Sequence, residues 1–506
     1  MRKDHVAIVG GGLGGLALAS RLAQAGNAVS VFEQEAEVGG RLGREVFDGF
    51  SFDIGPTILL FPDVLRAHFR ELGANADDAL DLVRCDPNYR VHFRDGSNVT
   101  LMRDREALTR ELERFAPGSS AGFFRYLKSA DKKKSIAFDV FLREPFSNVL
   151  EMAQPKVLRG LFAAEAHRSV ANVAFGHVED ERLRMALTFQ TMYLGVSPFD
   201  APALFGLLPS TEFGEGIWYV KGGLARISKA LADLATKNGA SIETNAKVRA
   251  IETNGARTTG VTLEDGRFVR ADLVVANADL PYAYRKLLGR PLRRPLSYTS
   301  SALILLLGTN RKWDGLLHHN VFFGNDYAES FRDLFERHRT PADPSFYVAE
   351  PSGTDASVAK NGGSAIYVLV PVPHLHPQGP NWHDKNEIAR LREHVIERLE
   401  REVTPGLRES IVSERAITPL DWRSRFSLEH GSAFGLAHTL DQVAAFRPAQ
   451  RDATLENLYF VGASTQPATG IPNVLIGAKQ VSERILSGEW RASTKRKGSL
   501  WNRLAP

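Results

Sequence analysis

Gly10-x-Gly12-x-x-Gly15 stands between an apolar run, Val6-Ala7-Ile8-Val9, and a stretch of helix formers, Leu16 to Ala25, that stops at Gly26. This juxtaposition narrows the fold more than any other feature of the chain. A four-residue apolar run ending in glycine reads as a strand buried on both faces. Gly10 then permits a tight turn. Gly12 lets the backbone N–H groups of the following first turn, which includes Leu13 and Gly14, approach a pyrophosphate at a helix N-terminus. Gly15 lets that helix pack closely on the strand. A second strand, Val29–Phe32, ends at Glu33, 18 residues past Gly15. A carboxylate there accepts hydrogen bonds from both ribose hydroxyls and repels a 2′-phosphate. A glycine-rich packing turn with a surface glutamate accounts for each part alone, but not for all of them in register. The N-terminal unit is therefore expected to be a Rossmann-like α/β fold.

The remaining composition excludes more than it assigns. The chain has 506 residues, 43 % hydrophobic and 24 % charged. That is ordinary for a soluble globular protein and argues against a disordered, collagenous or fibrous one. At roughly 100–200 residues per domain there is room for two to four units. A single cysteine, Cys85, can form no intrachain disulfide and no zinc or iron–sulfur cysteine set, which points to a reducing, cytoplasmic compartment. The net charge of +4 arises at the C-terminus, where Arg491, Lys495, Arg496, Lys497 and Arg503 lie within sixteen residues that hold no acid. The body sums to −1, so nucleic acid is not an expected partner. No apolar run reaches the ~18 residues of a spanning helix. Residues 6–20 imitate a signal peptide, but Asp4 among the leading basic residues and five glycines in the stretch oppose it.

Downstream, residues 63–134 read as charged and helical with a short β-like piece near Tyr89–Leu101. Residues 135–215 read as helical and apolar, broken by prolines at 145, 155, 198, 202 and 209. A helix is expected over Leu224–Lys237, with strands at Ser241–Thr244 and Lys247–Thr253. A hairpin follows, turning at Glu264-Asp265-Gly266, and then a buried strand over Ala271–Ala276. Strands Ser301–Leu307 and Ala365–Val370, a helix over Lys385–Val403 and a closing strand–loop–helix unit around Leu458–Gly462 and Val474–Leu486 complete the reading.

Further candidates for chemistry are uneven. Val38-Gly39-Gly40-Arg41 follows the ribose-binding strand closely enough to place a second loop over the pyrophosphate, with Arg41 as counter-charge. Asp53-Ile54-Gly55-Pro56-Thr57 is a rigid turn suited to lie against a flat ring. His318 and His319 invite a metal reading, but adjacent side chains are expected to point apart and no third ligand has suitable spacing nearby, so no metal is expected. Glu212 and Glu215 read equally as an acid–base pair or as solvated loop charges. Phe189–Leu208 reads as a tunnel lining or as plain core. No nucleophile-elbow motif occurs, and no catalytic residue is assigned.

From about residue 5 to 488 the chain resembles the phytoene desaturase family of bacterial and fungal carotenoid desaturases, within the amine-oxidase-like FAD flavoproteins. Beyond the N-terminal motifs, the resemblance rests on Gly195-Val196-Ser197-Pro198-Phe199-Asp200-Ala201-Pro202, Gly216-Ile217-Trp218-Tyr219-Val220-Lys221-Gly222-Gly223, Leu317-His318-His319-Asn320, Tyr367 to Pro373 and Gly431-Ser432-Ala433-Phe434-Gly435. It rests equally on Asn457 to Pro472. Where the family usually has Thr-His-Pro-Gly, this chain has Thr465-Gln466-Pro467-Ala468, and Val220 replaces a usual proline. In the last motif a strand ends at Gly462, and Ile471-Pro472 enters a helix. The free first-turn amides there, including Asn473 and Val474, suit the N1/O2 edge of a flavin.

The resemblance implies a discontinuous FAD-binding domain over 1–62, 220–290 and 450–488. It implies a substrate domain of mixed sheet and helices over 63–134 and 291–449, a helical membrane-facing region over 135–219 and a basic tail over 489–506. It also implies that Val248 returns to the cofactor to read the adenine, that FAD is the sole hydride carrier, and that the substrate is an apolar polyene such as phytoene or a C30 analogue. Quinone or oxygen would be the terminal acceptor. A carotenoid isomerase, an amine oxidase and a flavin-free lipid-binding chaperone share the fold and stand as alternatives. So apolar a substrate implies a peripheral membrane surface. Two contacts are expected: the tail with Trp490, Leu500, Trp501 and Leu504, and the stretch Ile136–Phe175 behind Lys132-Lys133-Lys134.

Overall fold

In the computed structural model, which describes residues 4–491, the strand His5–Val9 is the centre of a five-stranded sheet. It pairs in parallel with Ala28–Phe32 on one side and Leu273–Ala276 on the other. Ser241–Glu243 and Leu458–Phe460 form the edges, also parallel. Val6 and Ile8 face three helices, Leu13–Gln24, Ala225–Lys237 and Ile471–Leu486. Ala7 and Val9 face an antiparallel three-stranded sheet of Val248–Asn254, Arg257–Leu263 and Phe268–Arg270. Burial of both faces explains why these strands are continuous apolar runs rather than alternating ones. The register pairs Val9 with both Phe32 and Ala276, so Gly10, Glu33 and Asn277 all leave the sheet at one edge.

A seven-stranded sheet lies beyond. Its order is Ile411–Ile417, Ser301–Thr309, Ser364–Val372, Phe346–Ala349, His319–Phe322, Tyr89–His92 and Asn98–Leu101, antiparallel except where His319–Phe322 meets Tyr89–His92. Alternation sorts its faces. Leu303, Leu305 and Leu307 pack under the Lys385–Glu402 helix with Leu391, Val395 and Leu399. Ala302, Ile304 and Leu306 turn the other way, with Tyr367. An aromatic cluster that includes Phe123, Phe189, Phe213, Tyr327 and Phe331 roofs this second face.

As expected, the segment 135–215 is helical in short, interrupted runs, among them Pro155–Ala163, Val170–Phe175, Glu181–Ala186 and Leu208–Gly214. Proline opens or interrupts the runs, as it must when it lacks an N–H. Trp490 is no membrane contact: it is 6 % exposed, packed in the core beneath the Arg257 guanidinium, 5.7 Å from the ring centroid. Leu500, Trp501 and Leu504 lie outside the described residues. Among the described residues no helix is long and apolar enough to cross a membrane.

Candidate functional site

The two sheets enclose a cavity of about 2850 Å³, its open mouth included. One end is built from the edge of the parallel sheet. Gly12 caps the Leu13–Gln24 helix, and the first-turn amides of a helix have no intrahelical partner. Gly11 N–H donates to Glu33 Oε2 at 2.7 Å and Glu35 N–H to Glu33 Oε1 at 2.9 Å, fixing a carboxylate whose pKa burial raises. Gly39 N–H donates to the Gly11 carbonyl at 2.8 Å, which brings the second glycine loop, with Gly40 and Arg41, alongside Gly12. Arg41 donates Nη1 to the Ala433 carbonyl at 3.1 Å. Burial lowers its pKa, with Asp279 offsetting part of that cost.

Gly10, Gly12, Leu13, Gly14, Glu33, Gly40, Arg41, Gly55, Pro56, Thr57, Val248, Gly462, Ile471, Pro472, Asn473 and Val474 all line this cavity. Gly15 does not. A Cβ there would stand 2.3 Å from the Gly10 carbonyl oxygen, so its place is helix-to-strand packing. The Ile471–Leu486 helix begins at the cavity wall, with Gly470 ahead of it at φ 100°. Asp53 is not in the lining. It accepts from the Leu224 and Ala225 amides at 3.0 and 3.2 Å, anchoring the Gly55 turn to the Ala225–Lys237 helix, and burial pushes its pKa up to about 6. The donor set suits a flavin dinucleotide: a helix N-terminus and a guanidinium for phosphates, a fixed carboxylate for ribose, and a glycine cradle that a Cβ would fill. At Gly12 that Cβ would come within 2.9 Å of the Asn277 side-chain nitrogen.

Asn277 was not singled out in the sequence. It donates to the Gly10 carbonyl at 3.2 Å and sits between Gly12, Gly14 and Gly462. The signal was available, because it follows the strand adjacent to the central one at the C-terminal edge, where open α/β sheets bind ligands.

The other end of the cavity is apolar and aromatic. Phe189, Leu194, Leu208, Phe323, Tyr327 and Phe331 line it, so Phe189–Leu208 contributes both wall and core. Where the two ends meet, phenols face inward. Tyr347 Oη lies 2.8 Å from Thr57 Oγ1 and 2.7 Å from His319 Nδ1. Tyr193 Oη donates to Glu212 Oε1 at 2.9 Å.

Glu212 is no solvated charge. It is fully buried and accepts from Tyr89 Oη at 2.9 Å and Gln190 Nε2 at 3.1 Å as well as from Tyr193, and burial pushes its pKa up to about 7. Glu215 instead pairs with Lys134 at 3.3 Å, so the two glutamates form no acid–base pair. His318 precedes the strand proper, so strand alternation does not separate it from His319; the ring centroids are 4.4 Å apart. Cys85, distant in sequence, brings its sulfur within 4.8 Å of both. Burial pushes its thiol up to about 12, and both histidines are pushed down, His318 to about 4. Gln466 is buried against Pro448 and Arg447, away from the cavity lining.

Comparison with known proteins agrees with this geometry. The family model for flavin containing amine oxidoreductase matches residues 13–486. A zeta-carotene-forming phytoene desaturase of Myxococcus xanthus is 48 % identical over 489 residues, 96 % of this chain and 94 % of that protein. A 4,4′-diapophytoene desaturase of Staphylococcus haemolyticus is 35 % identical over 496 residues, 95 % of this chain and 98 % of that protein. A crystal structure of an oxidoreductase from Methanosarcina mazei has a TM-score of 0.64 at 18 % identity, covering 95 % of this chain and all of the other; at that identity the likeness concerns fold.

Proposed function

This chain belongs to the flavin-containing amine oxidoreductases, in the branch that holds the carotenoid desaturases, and from that premise we propose that it dehydrogenates a linear apolar polyene such as phytoene or a C30 analogue. The observation that carries the reading is one continuous cavity with a dinucleotide cradle at one end and an aromatic, aliphatic wall at the other. An amine substrate would call for a polar, caged pocket. A flavin-free chaperone would leave Gly10, Gly12 and Glu33 without a purpose.

FAD bound in the cradle supplies a two-electron acceptor for hydride. The chain's own residues do the rest. The Leu13 and Gly14 amides and Arg41 would hold the pyrophosphate. Glu33 would hold the ribose, and Val248 would face the adenine. Gly55, Pro56 and Thr57 would form one wall for the flavin, and the amides and helix dipole of the Ile471–Val474 turn would favour the negative charge a flavin gains on reduction. The apolar wall orients the polyene and keeps water out. No neighbouring group acidifies the C–H bonds of the substrate, so hydride loss precedes proton loss. We assign no metal to Cys85, His318 and His319. Thr354 Oγ1 and Tyr347 Oη satisfy the two Nδ1 atoms at 2.7 Å each.

The protein is proposed to work at a membrane surface, in the cytoplasm, passing electrons to quinone or oxygen. Leu150, Leu158 and Phe162, exposed at 64, 53 and 79 %, provide the apolar contact. Phytoene presented in vesicles to the flavin-loaded protein tests the activity. New, longer chromophores are expected in the extracted pigments, and unchanged phytoene would refute it.

A further inference from the structure

Glu212 is a carboxylate buried beside a cavity whose chemistry produces a cation. It is fully buried on the short helix Leu208–Gly214, and among the described residues it forms no ion pair. Its acceptor capacity meets three neutral donors: Tyr193 Oη on Oε1, and Tyr89 Oη and Gln190 Nε2 on Oε2. The other groups around it are uncharged too. Asn88 Nδ2 donates to its backbone carbonyl at 2.8 Å, Tyr126 lies close enough to feel its charge, and Tyr347 stands near Tyr193. Just past its helix Glu215 pairs with Lys134, and on the helix Ser210 bonds Asp131 at 3.0 Å. An uncompensated buried carboxylate is costly, and a purely structural site would be served as well by a neutral amide. Of the three donors to the Glu212 carboxylate, Tyr193 alone reaches the cavity lining.

We propose that Tyr193 is the catalytic group that takes the proton released in desaturation and that Glu212 is the positioning residue and proton sink behind it. The inference rests on the desaturase reading. The substrate loses a hydride, with both electrons of one C–H bond, to the flavin oxidant and becomes an allylic cation. The adjacent C–H bond then breaks and its electron pair forms the new C=C. Its proton passes to the Tyr193 phenolic oxygen as the Tyr193 O–H proton passes to Glu212 Oε1. Such a cation is acidic enough for a phenol to accept from it once a carboxylate draws the phenol's own proton away. The same anion stabilises the cation across the tyrosine. The parallel chain from Tyr347 to His319 ends in a neutral imidazole and lacks that charge.

The test uses the flavin-loaded protein, wild type, Glu212→Gln, Tyr193→Phe and Tyr347→Phe. Infrared difference spectra across pH, which need no turnover, should show one protonated carboxyl band that ionises near pH 7 in wild type and is missing in Glu212→Gln. Turnover of phytoene in vesicles should rise through the same pH in wild type. It should fall by about 100-fold or more in Glu212→Gln and Tyr193→Phe with flavin content unchanged. If Glu212→Gln does not fold, Tyr193→Phe, which keeps the ring and its packing, decides. Equal turnover and an equal pH profile in both variants, or a loss confined to Tyr347→Phe, would overturn the inference while leaving the desaturase reading intact. A wild-type protein inert toward polyenes would remove that reading, and the proton step with it.

Discussion

A Cβ at Gly15 would stand 2.3 Å from a backbone carbonyl oxygen, whereas one at Gly12 would meet only the end of the Asn277 side chain at 2.9 Å. The two glycines therefore fail differently. Gly15→Ala must push the Leu13–Gln24 helix off the central strand and should cost about 1–3 kcal/mol of stability, read as a lower thermal midpoint. Gly12→Asp spares that packing but sets a carboxylate where phosphate belongs. It should purify folded and nearly colourless, and a variant as yellow as wild type would refute the cradle. Glu212 and Asp53 carry a pH signature. Their pKa values rise from 4.5 to about 7 and from 3.8 to about 6 on folding, chiefly through burial. The folded chain thus holds protons that the unfolded chain has released. The stability they contribute is complete below the unfolded values and is lost as pH climbs through 6 to 7. Glu212→Gln should remove its share, on the order of 3 kcal/mol. Relative to wild type, the thermal midpoint of Glu212→Gln should improve steadily between pH 5 and pH 7.5. Parallel midpoint curves would show that Glu212 keeps an ordinary pKa.

Among the elements, the Pro155–Ala163 helix carries the proposed membrane contact. Leu158 and Phe162, four residues apart on one face, are exposed, with Arg159 and Lys156 beside them. Val157 and Gly160 face inward. Lys133 is turned inward to Glu165 at 2.9 Å, so the basic run ahead of this region offers less charge than its sequence suggests. Leu158→Glu with Phe162→Glu should abolish sedimentation with anionic vesicles while leaving bound flavin intact. Removing residues 492–506 tests the tail separately, and each basic residue lost there should cost about 1 kcal/mol if it engages. Legibility followed locality. The central strand, the glycine turn, the Asp-Gly hairpin and the Lys385–Glu402 helix were plain in sequence because their determinants are neighbours in the chain. The paired strands Leu82–Cys85 and Ile217–Val220 were not, because each is a four-residue run that exists by virtue of a partner more than a hundred residues away. The same holds for the site. Gly10, Glu33 and Ile471 announce themselves, whereas Asn277, Tyr193 and Tyr347 become functional candidates only where the sheets converge.

At the scale of the molecule, the parallel sheet supplies a nucleotide cradle and the seven-stranded sheet supplies a floor of Ala302, Ile304, Tyr367 and Leu369, so one cavity joins an electron acceptor to an apolar substrate. The sequence carries one dinucleotide fingerprint, and its carboxylate, Glu33, is fixed by two backbone amides in a position hostile to a 2′-phosphate. Tyr327, Phe331 and Leu334 continue the aromatic and aliphatic wall away from the cradle. The bound flavin should therefore be the only hydride carrier, and catalysis should divide into two halves. Anaerobic mixing with phytoene in vesicles, with no nicotinamide added, should bleach the flavin's visible band once, matched by one new double bond per flavin. Admitting oxygen or a lipid-soluble quinone should restore the colour and allow further turnovers. Turnover that waits for added NADP⁺ while the flavin stays oxidised would place the hydride acceptor elsewhere and remove the flavin cradle from the reaction path.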